Sequence, residues 1–144
     1  MVKMFAVLRR NPAMTREEFV AHWRDHHGPM IRNEPSLARH IVRYEQHVRH
    51  HNGSLSGNKD IDGVAVQWFD SIDGFIGFMS EPAYAELIAP DEQRFLDMSR
   101  IEFIITEEPT VVFEGPDGLT DRRLGDPPRQ TADDLAGADD GARA

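Results

Sequence analysis

Two stretches, Val2–Leu8 and Gly63–Phe69, repeat in the two-residue period of a β-strand, yet both of their faces are largely apolar. In the first, Val2, Met4, Ala6 and Leu8 alternate with Lys3, Phe5 and Val7; in the second, Val64, Val66 and Trp68 alternate with Ala65, Gln67 and Phe69. A strand of this kind has to be covered on both sides. In a chain of 144 residues, helices supply one cover. A second copy of the chain is expected to supply the other, giving a two-fold homodimer.

The segments between fit that arrangement. Thr15-Arg16-Glu17-Glu18 spells a capping box, and Phe19, Val20, Trp23 and His27 follow at helical spacing on one face, until Gly28-Pro29 is expected to end or turn the helix. Arg39 to Val48 alternates as a strand, with His40, Val42, Tyr44, Gln46 and Val48 on one side and Arg43, Glu45 and His47 on the other. A flexible connection is expected over Asn52–Asn58. After the strand ending at Phe69, Asp70 or Ser71 can cap a second helical region that Pro82 interrupts and Pro90-Asp91-Glu92 restarts. Ile101 to Phe113 is the last extended stretch, bent near Pro109.

The order βαββαβ over about 110 residues is that of a ferredoxin-like α+β fold, an antiparallel sheet with helices on one face. Two such sheets dimerising face to face make an α+β barrel. This domain is expected over residues 1–114. Residues 115–144, acidic and rich in Gly and Pro, are expected to form a flexible tail.

Composition removes several function classes. There is no cysteine, so disulfides, Cys-based metal centres and a thiol nucleophile are excluded. The formal charge is −9 and no basic stripe interrupts it, which argues against nucleic acid as a partner. No apolar run reaches membrane-spanning length, and the opening MVKMFAVLRR reads as a strand rather than a signal peptide, so no membrane association and a cytoplasmic location are expected. Phosphate-binding loops and nucleophile-elbow patterns are absent.

Among residues able to do chemistry, His27 stands out at the end of an aromatic helix face, where imidazole can give or take a proton near neutrality. The plainer role is a helix-end histidine bonding the last carbonyls. Seven histidines raise the question of metal. His22 and His26 lie four residues apart, and His47, His50 and His51 cluster, but neither set carries a full ligand signature. Both are read as surface histidines, with no metal expected.

The motifs Phe19-x3-Trp23-x3-His27-Gly28-Pro29, Arg43-Tyr44-x-Gln46, Asp62-Gly63 leading to Trp68-Phe69-Asp70-Ser71, and Phe95-Leu96-Asp97 together resemble those of EthD-domain proteins over residues 2–114. The resemblance implies the dimeric α+β barrel reached above from the pattern. Relatives of that family include polyketide cyclases, dehydratases and decarboxylases of aromatic polyketides, muconolactone isomerases and cofactor-free monooxygenases. Fold is therefore implied more sharply than reaction.

Carried onto this sequence, the resemblance implies His27 as general acid or base and Tyr44 as the hydroxyl that polarises a carbonyl or phenol. Phe19, Trp23, Gln46 and Trp68 are expected to contact the substrate. The corresponding activity is that of a lyase or isomerase without metal or organic cofactor, acting by proton transfer on a small apolar carbonyl or phenolic compound. A non-catalytic binding protein for a hydrophobic metabolite, or a haem-dependent or cofactor-free monooxygenase, are the alternatives.

Overall fold

The structure, a computed structural model, describes residues 1–52, 55 and 57–116. Residues 53, 54 and 56 of the expected connection, and the expected tail from residue 117 onward, lie outside the described residues. The chain divides into two units, residues 1–109 and 110–144. In the second, residues 110–116 are exposed and carry no helix or strand.

The first unit holds four antiparallel strands, β1 (Val2–Leu8), β2 (Arg43–Val48), β3 (Gly63–Phe69) and β4 (Glu102–Thr106), in the order β2-β3-β1-β4. This is the ferredoxin-like sheet. Helices α1 (Arg16–His22), α2 (Gly28–Asn33) and α3 (Pro35–Ala38) follow β1, and α4 (Ile72–Ser80) and α5 (Ala89–Phe95) follow β3. The β2 strand begins at Arg43 rather than Arg39, because the His40 ring is held by Glu81 at 2.7 Å, where it fills the space beside Gly77.

Thr15 caps α1 as its sequence requires: its hydroxyl accepts the Glu18 N–H at 3.1 Å while the Glu18 carboxylate accepts the Thr15 N–H at 2.8 Å. Ser71, not Asp70, caps α4. Gly28-Pro29 does not end the first helical region. Pro29 has no N–H to donate, and the chain passes it by widening into a π-turn, Trp23–His27, in which the Gly28 N–H reaches the Trp23 carbonyl. The second region repeats the device, with a π-turn at Tyr84–Ile88 ahead of Pro90.

Alternation sorts the strand residues between the two faces. Met4, Ala6, Leu8, Ala65, Gln67, Phe69 and Tyr44 face the helices, as the packing of two buried clusters shows. One cluster gathers Ala6, Leu8, Phe19, Trp23, Ala65, Phe95 and Leu96; the other gathers Ile31, Leu37, Phe69, Phe78 and Ile88. Gly63 is required where the Trp23 ring crosses β3, since a Cβ there would stand 2.7 Å from the ring and 2.8 Å from the His47 carbonyl. On the opposite face lie Phe5, Val7, Val64, Trp68 and the exposed Ile104.

Candidate active site

The two buried clusters do not close completely on each other. Between them is a partly open cavity of about 70 Å³, walled by residues of both, among them Trp23, Ile31, Phe78 and Ile88, with His27, Tyr44, Gln67, Tyr84 and Glu92 as its polar lining. A second hollow of about 200 Å³ shares Met4, Met79, Tyr84 and Glu92 with it and continues over Phe75, Met98, Ile101 and Phe103. The two hollows adjoin along these shared residues and make a chamber that is mostly apolar with a few convergent polar groups.

His27 enters this chamber from the π-turn. It is 5% exposed, and its Nδ1 lies 2.8 Å from Oδ2 of Asp91, itself 1% exposed at the start of α5. Its ring packs on Phe95, centroids 4.8 Å apart. Burial pulls its pKa below the ordinary imidazole value, and the opposing pull of the Asp91 carboxylate is the smaller effect. The ring is therefore neutral near pH 7. With its Nδ1 proton held by Asp91, Nε2 carries the lone pair, which is the protonation state of a general base.

Tyr44 reaches the same space from β2. Its hydroxyl oxygen accepts the Trp23 indole N–H at 3.0 Å and the Gln46 amide N–H at 3.2 Å, leaving its own proton to donate elsewhere. Burial raises its pKa, so the hydroxyl keeps that proton. The Gln46 amide also donates to the Trp23 carbonyl at 2.8 Å, a contact for which Gly28 leaves room.

Glu92 and Tyr84 complete the polar lining. The Tyr84 hydroxyl donates to the Glu92 carboxylate at 3.0 Å. Burial, assisted by the nearby Asp91 charge, lifts the Glu92 pKa to about 7, whereas the Tyr84 hydrogen bond works against the rise. Burial and the Glu92 charge push the Tyr84 phenol upward as well. Gln67 is 4% exposed, and its amide oxygen is buried without a hydrogen-bond partner.

The residues expected from the sequence thus divide. His27, Tyr44 and Trp23 come together on the chamber wall. Phe19 does not reach it: it is fully buried between Trp23 and Phe95 as core. Gln46 does not line the chamber: with Tyr44 and Ile31, which border both spaces, it lines a more open groove of about 470 Å³, and its amide bonds the Tyr44 hydroxyl and the Trp23 carbonyl. Trp68 faces the other side of the sheet, with Lys3 and Arg43 over its ring at 5.3 and 5.6 Å, because strand alternation sends it opposite to Gln67.

Asp91, Glu92, Tyr84 and Gln67 were not legible as site residues. An acid after Pro90 reads as an ordinary first-turn residue of a helix. Only the packing of α5 against the first π-turn gives it a histidine.

A sheet of this order, with π-interrupted helices enclosing a His–Asp pair on one face, defines a ferredoxin-like α+β protein with an internal cavity. The EthD domain model matches residues 11–99, and the chain belongs to the EthD-domain family. Solved structures share the fold at low identity. An EthD family protein from Bacillus halodurans is 19% identical with a TM-score of 0.56, over 76% of this chain and 99% of its own. HapK from Hahella chejuensis is 15% identical with a TM-score of 0.56, over 80% and 99%. A protein of ferredoxin-like fold from Bacteroides fragilis, described as dimeric, is 13% identical with a TM-score of 0.56, over 74% and 95%. No curated protein matches the chain. Among the described residues no helix is long and apolar enough to cross a membrane.

Proposed function

We propose that this chain is a lyase or isomerase that needs no organic cofactor or metal for its chemistry and moves a proton on a small, largely apolar carbonyl or phenolic compound of the aromatic-polyketide kind. The observation that carries this reading is the buried His27–Asp91 pair at the wall of a largely apolar chamber. Neutral His27 removes a proton through Nε2, and Asp91 stabilises the imidazolium that forms. The Tyr44 hydroxyl donates to the oxygen on which charge develops. Glu92, half protonated near pH 7, returns a proton from the side where the two hollows meet. Exclusion of water by the apolar walls strengthens each of these interactions.

The same reading includes a homodimer. Phe5, Val7, Val64, Trp68 and Ile104 give the open sheet face the composition of a surface meant to be covered, and a second copy of the same face covers it by two-fold symmetry.

The test is turnover. Wild type and His27→Ala are incubated with aromatic lactones, phenols and β-keto aromatic compounds, and the mixtures are examined by mass spectrometry. Conversion by wild type, reduced at least about 100-fold in the folded variant, is the expected outcome. Tight binding by wild type with every bound compound recovered unchanged would replace catalysis by a carrier function.

A further inference from the structure

His22 and His26 lie one helical turn apart on the outer side of the first helical region, and both point their Nε2 atoms at a single oxygen. His22 Nε2 is 2.9 Å and His26 Nε2 is 3.4 Å from Oδ1 of Asp91. All three atoms lie within 4.8 Å of one another. The proton-transfer chemistry proposed above uses neither histidine, and it uses the other oxygen of the carboxylate.

We propose that His22, His26 and Asp91 form a binding site for one divalent transition-metal ion of the zinc, cobalt or nickel type. Two imidazoles and a carboxylate are a donor set these ions favour over magnesium or calcium. With metal–ligand bonds of about 2.0–2.1 Å, a tetrahedral ion separates neighbouring ligand atoms by about 3.3–3.4 Å. The two observed edges, 2.9 and 3.4 Å, bracket that value. The third edge, between the two imidazoles, is within 4.8 Å, and side-chain rotations that bring the two rings together would seat the ion, with water in the fourth position.

The surroundings hold the ligands in place. His27 Nδ1 anchors Oδ2 of Asp91 at 2.8 Å, so the carboxylate is oriented from behind as metal-binding carboxylates commonly are. The His22 ring rests on Phe95 with centroids 4.9 Å apart and on the His26 ring at 4.7 Å. His26 is half exposed, which leaves an entry path from solvent. Among the described residues the arginine or lysine that pairs with Oδ1 is Arg94, 3.9 Å away on a mostly exposed side chain that is free to swing away. The site thus joins the surface to His27 through one carboxylate without competing for the same oxygen.

The experiment is a titration of metal-stripped full-length protein with Zn2+ by calorimetry and with Co2+ by visible absorption, alongside His26→Ala, His22→Gln and a His50→Ala/His51→Ala control. Wild type is expected to bind one ion per chain, with the intense visible bands of tetrahedral Co2+. Affinity should fall at least 10-fold in His26→Ala and in His22→Gln and stay unchanged in the control. Because His26 is half exposed, its variant keeps the wild-type melting temperature in chelator, which separates loss of the site from loss of the fold. Absence of binding by wild type overturns the proposal, as does binding that survives both site variants or disappears in the control. The readout is binding, so it is independent of whether any substrate is turned over.

Discussion

His27 Nδ1 and Asp91 Oδ2 stand 2.8 Å apart although 64 residues separate them in the chain. Each comes from a helical region that a proline forces into a π-turn, and the two regions meet at this pair. In an α-helix adjacent residues point about 100° apart around the axis. The wider π-turn lets His22, His26 and His27 all reach one carboxylate, although His26 and His27 are neighbours.

Replacement of Asp91 by Asn keeps the shape of the pair and removes its charge. The amide no longer selects the His27 tautomer that leaves Nε2 free, so turnover is expected to fall about 100-fold or more with little change in KM. A kcat within threefold of wild type, on a variant with wild-type circular dichroism, would show that Asp91 does not orient the base.

The pH dependence follows from His27 and Glu92. Activity needs His27 neutral, and its pKa is lowered by burial, so the acid limb of the rate profile falls below the ordinary imidazole value. Proton return needs Glu92 protonated, so the alkaline limb falls near pH 7. For stability the sign is fixed by the same shift. The folded protein holds the Glu92 proton more tightly than the unfolded chain, so stability is lost as pH rises from about 4.5 to about 7. Glu92→Gln removes that loss. Chemical denaturation should show the variant gaining on wild type across this window by up to about 3 kcal/mol, together with disappearance of the alkaline limb. Parallel stability curves for the two proteins would contradict the assignment.

Tyr44→Phe tests the donated proton. The variant loses the oxygen that accepts the Trp23 and Gln46 N–H groups, so a stability cost of about 1–3 kcal/mol accompanies the loss of turnover. Urea denaturation checks the first effect and kcat the second. Unchanged turnover would remove Tyr44 from the reaction and leave it a structural role.

Gln67 offers the chamber an acceptor that no protein group uses. A ligand hydroxyl satisfies it, whereas the corresponding methyl ether leaves it unpaired. Phenolic ligands are therefore expected to bind wild type at least about 10-fold more tightly than their methyl ethers, and Gln67→Leu to abolish the difference. Calorimetry on matched pairs measures it; equal affinities in wild type would mean that the amide faces water rather than ligand.

How far the sequence alone reaches can be seen element by element. The alternation of Val2–Leu8 and Gly63–Phe69, the Thr15–Glu18 capping box and the βαββαβ order all act over a few residues, and each survives into the structure. So does the side on which Tyr44 falls, because strand alternation is local geometry. The same rule separates Trp68 from Gln67 and applies to its own placement away from the chamber.

What tertiary structure decided are the groups whose roles depend on a partner far along the chain. Nothing local in Pro90-Asp91-Glu92 distinguishes a helix start from a carboxylate shared by three histidines; the packing of α5 against the first π-turn makes that difference. Pro29 announces a break, but whether the helix ends or widens depends on the Trp23 carbonyl having both the Gly28 N–H and the Gln46 amide to satisfy it. The chamber itself is the space two hydrophobic clusters fail to fill. Local sequence sets the pattern of each element, and the volume left between elements exists only once they are packed together.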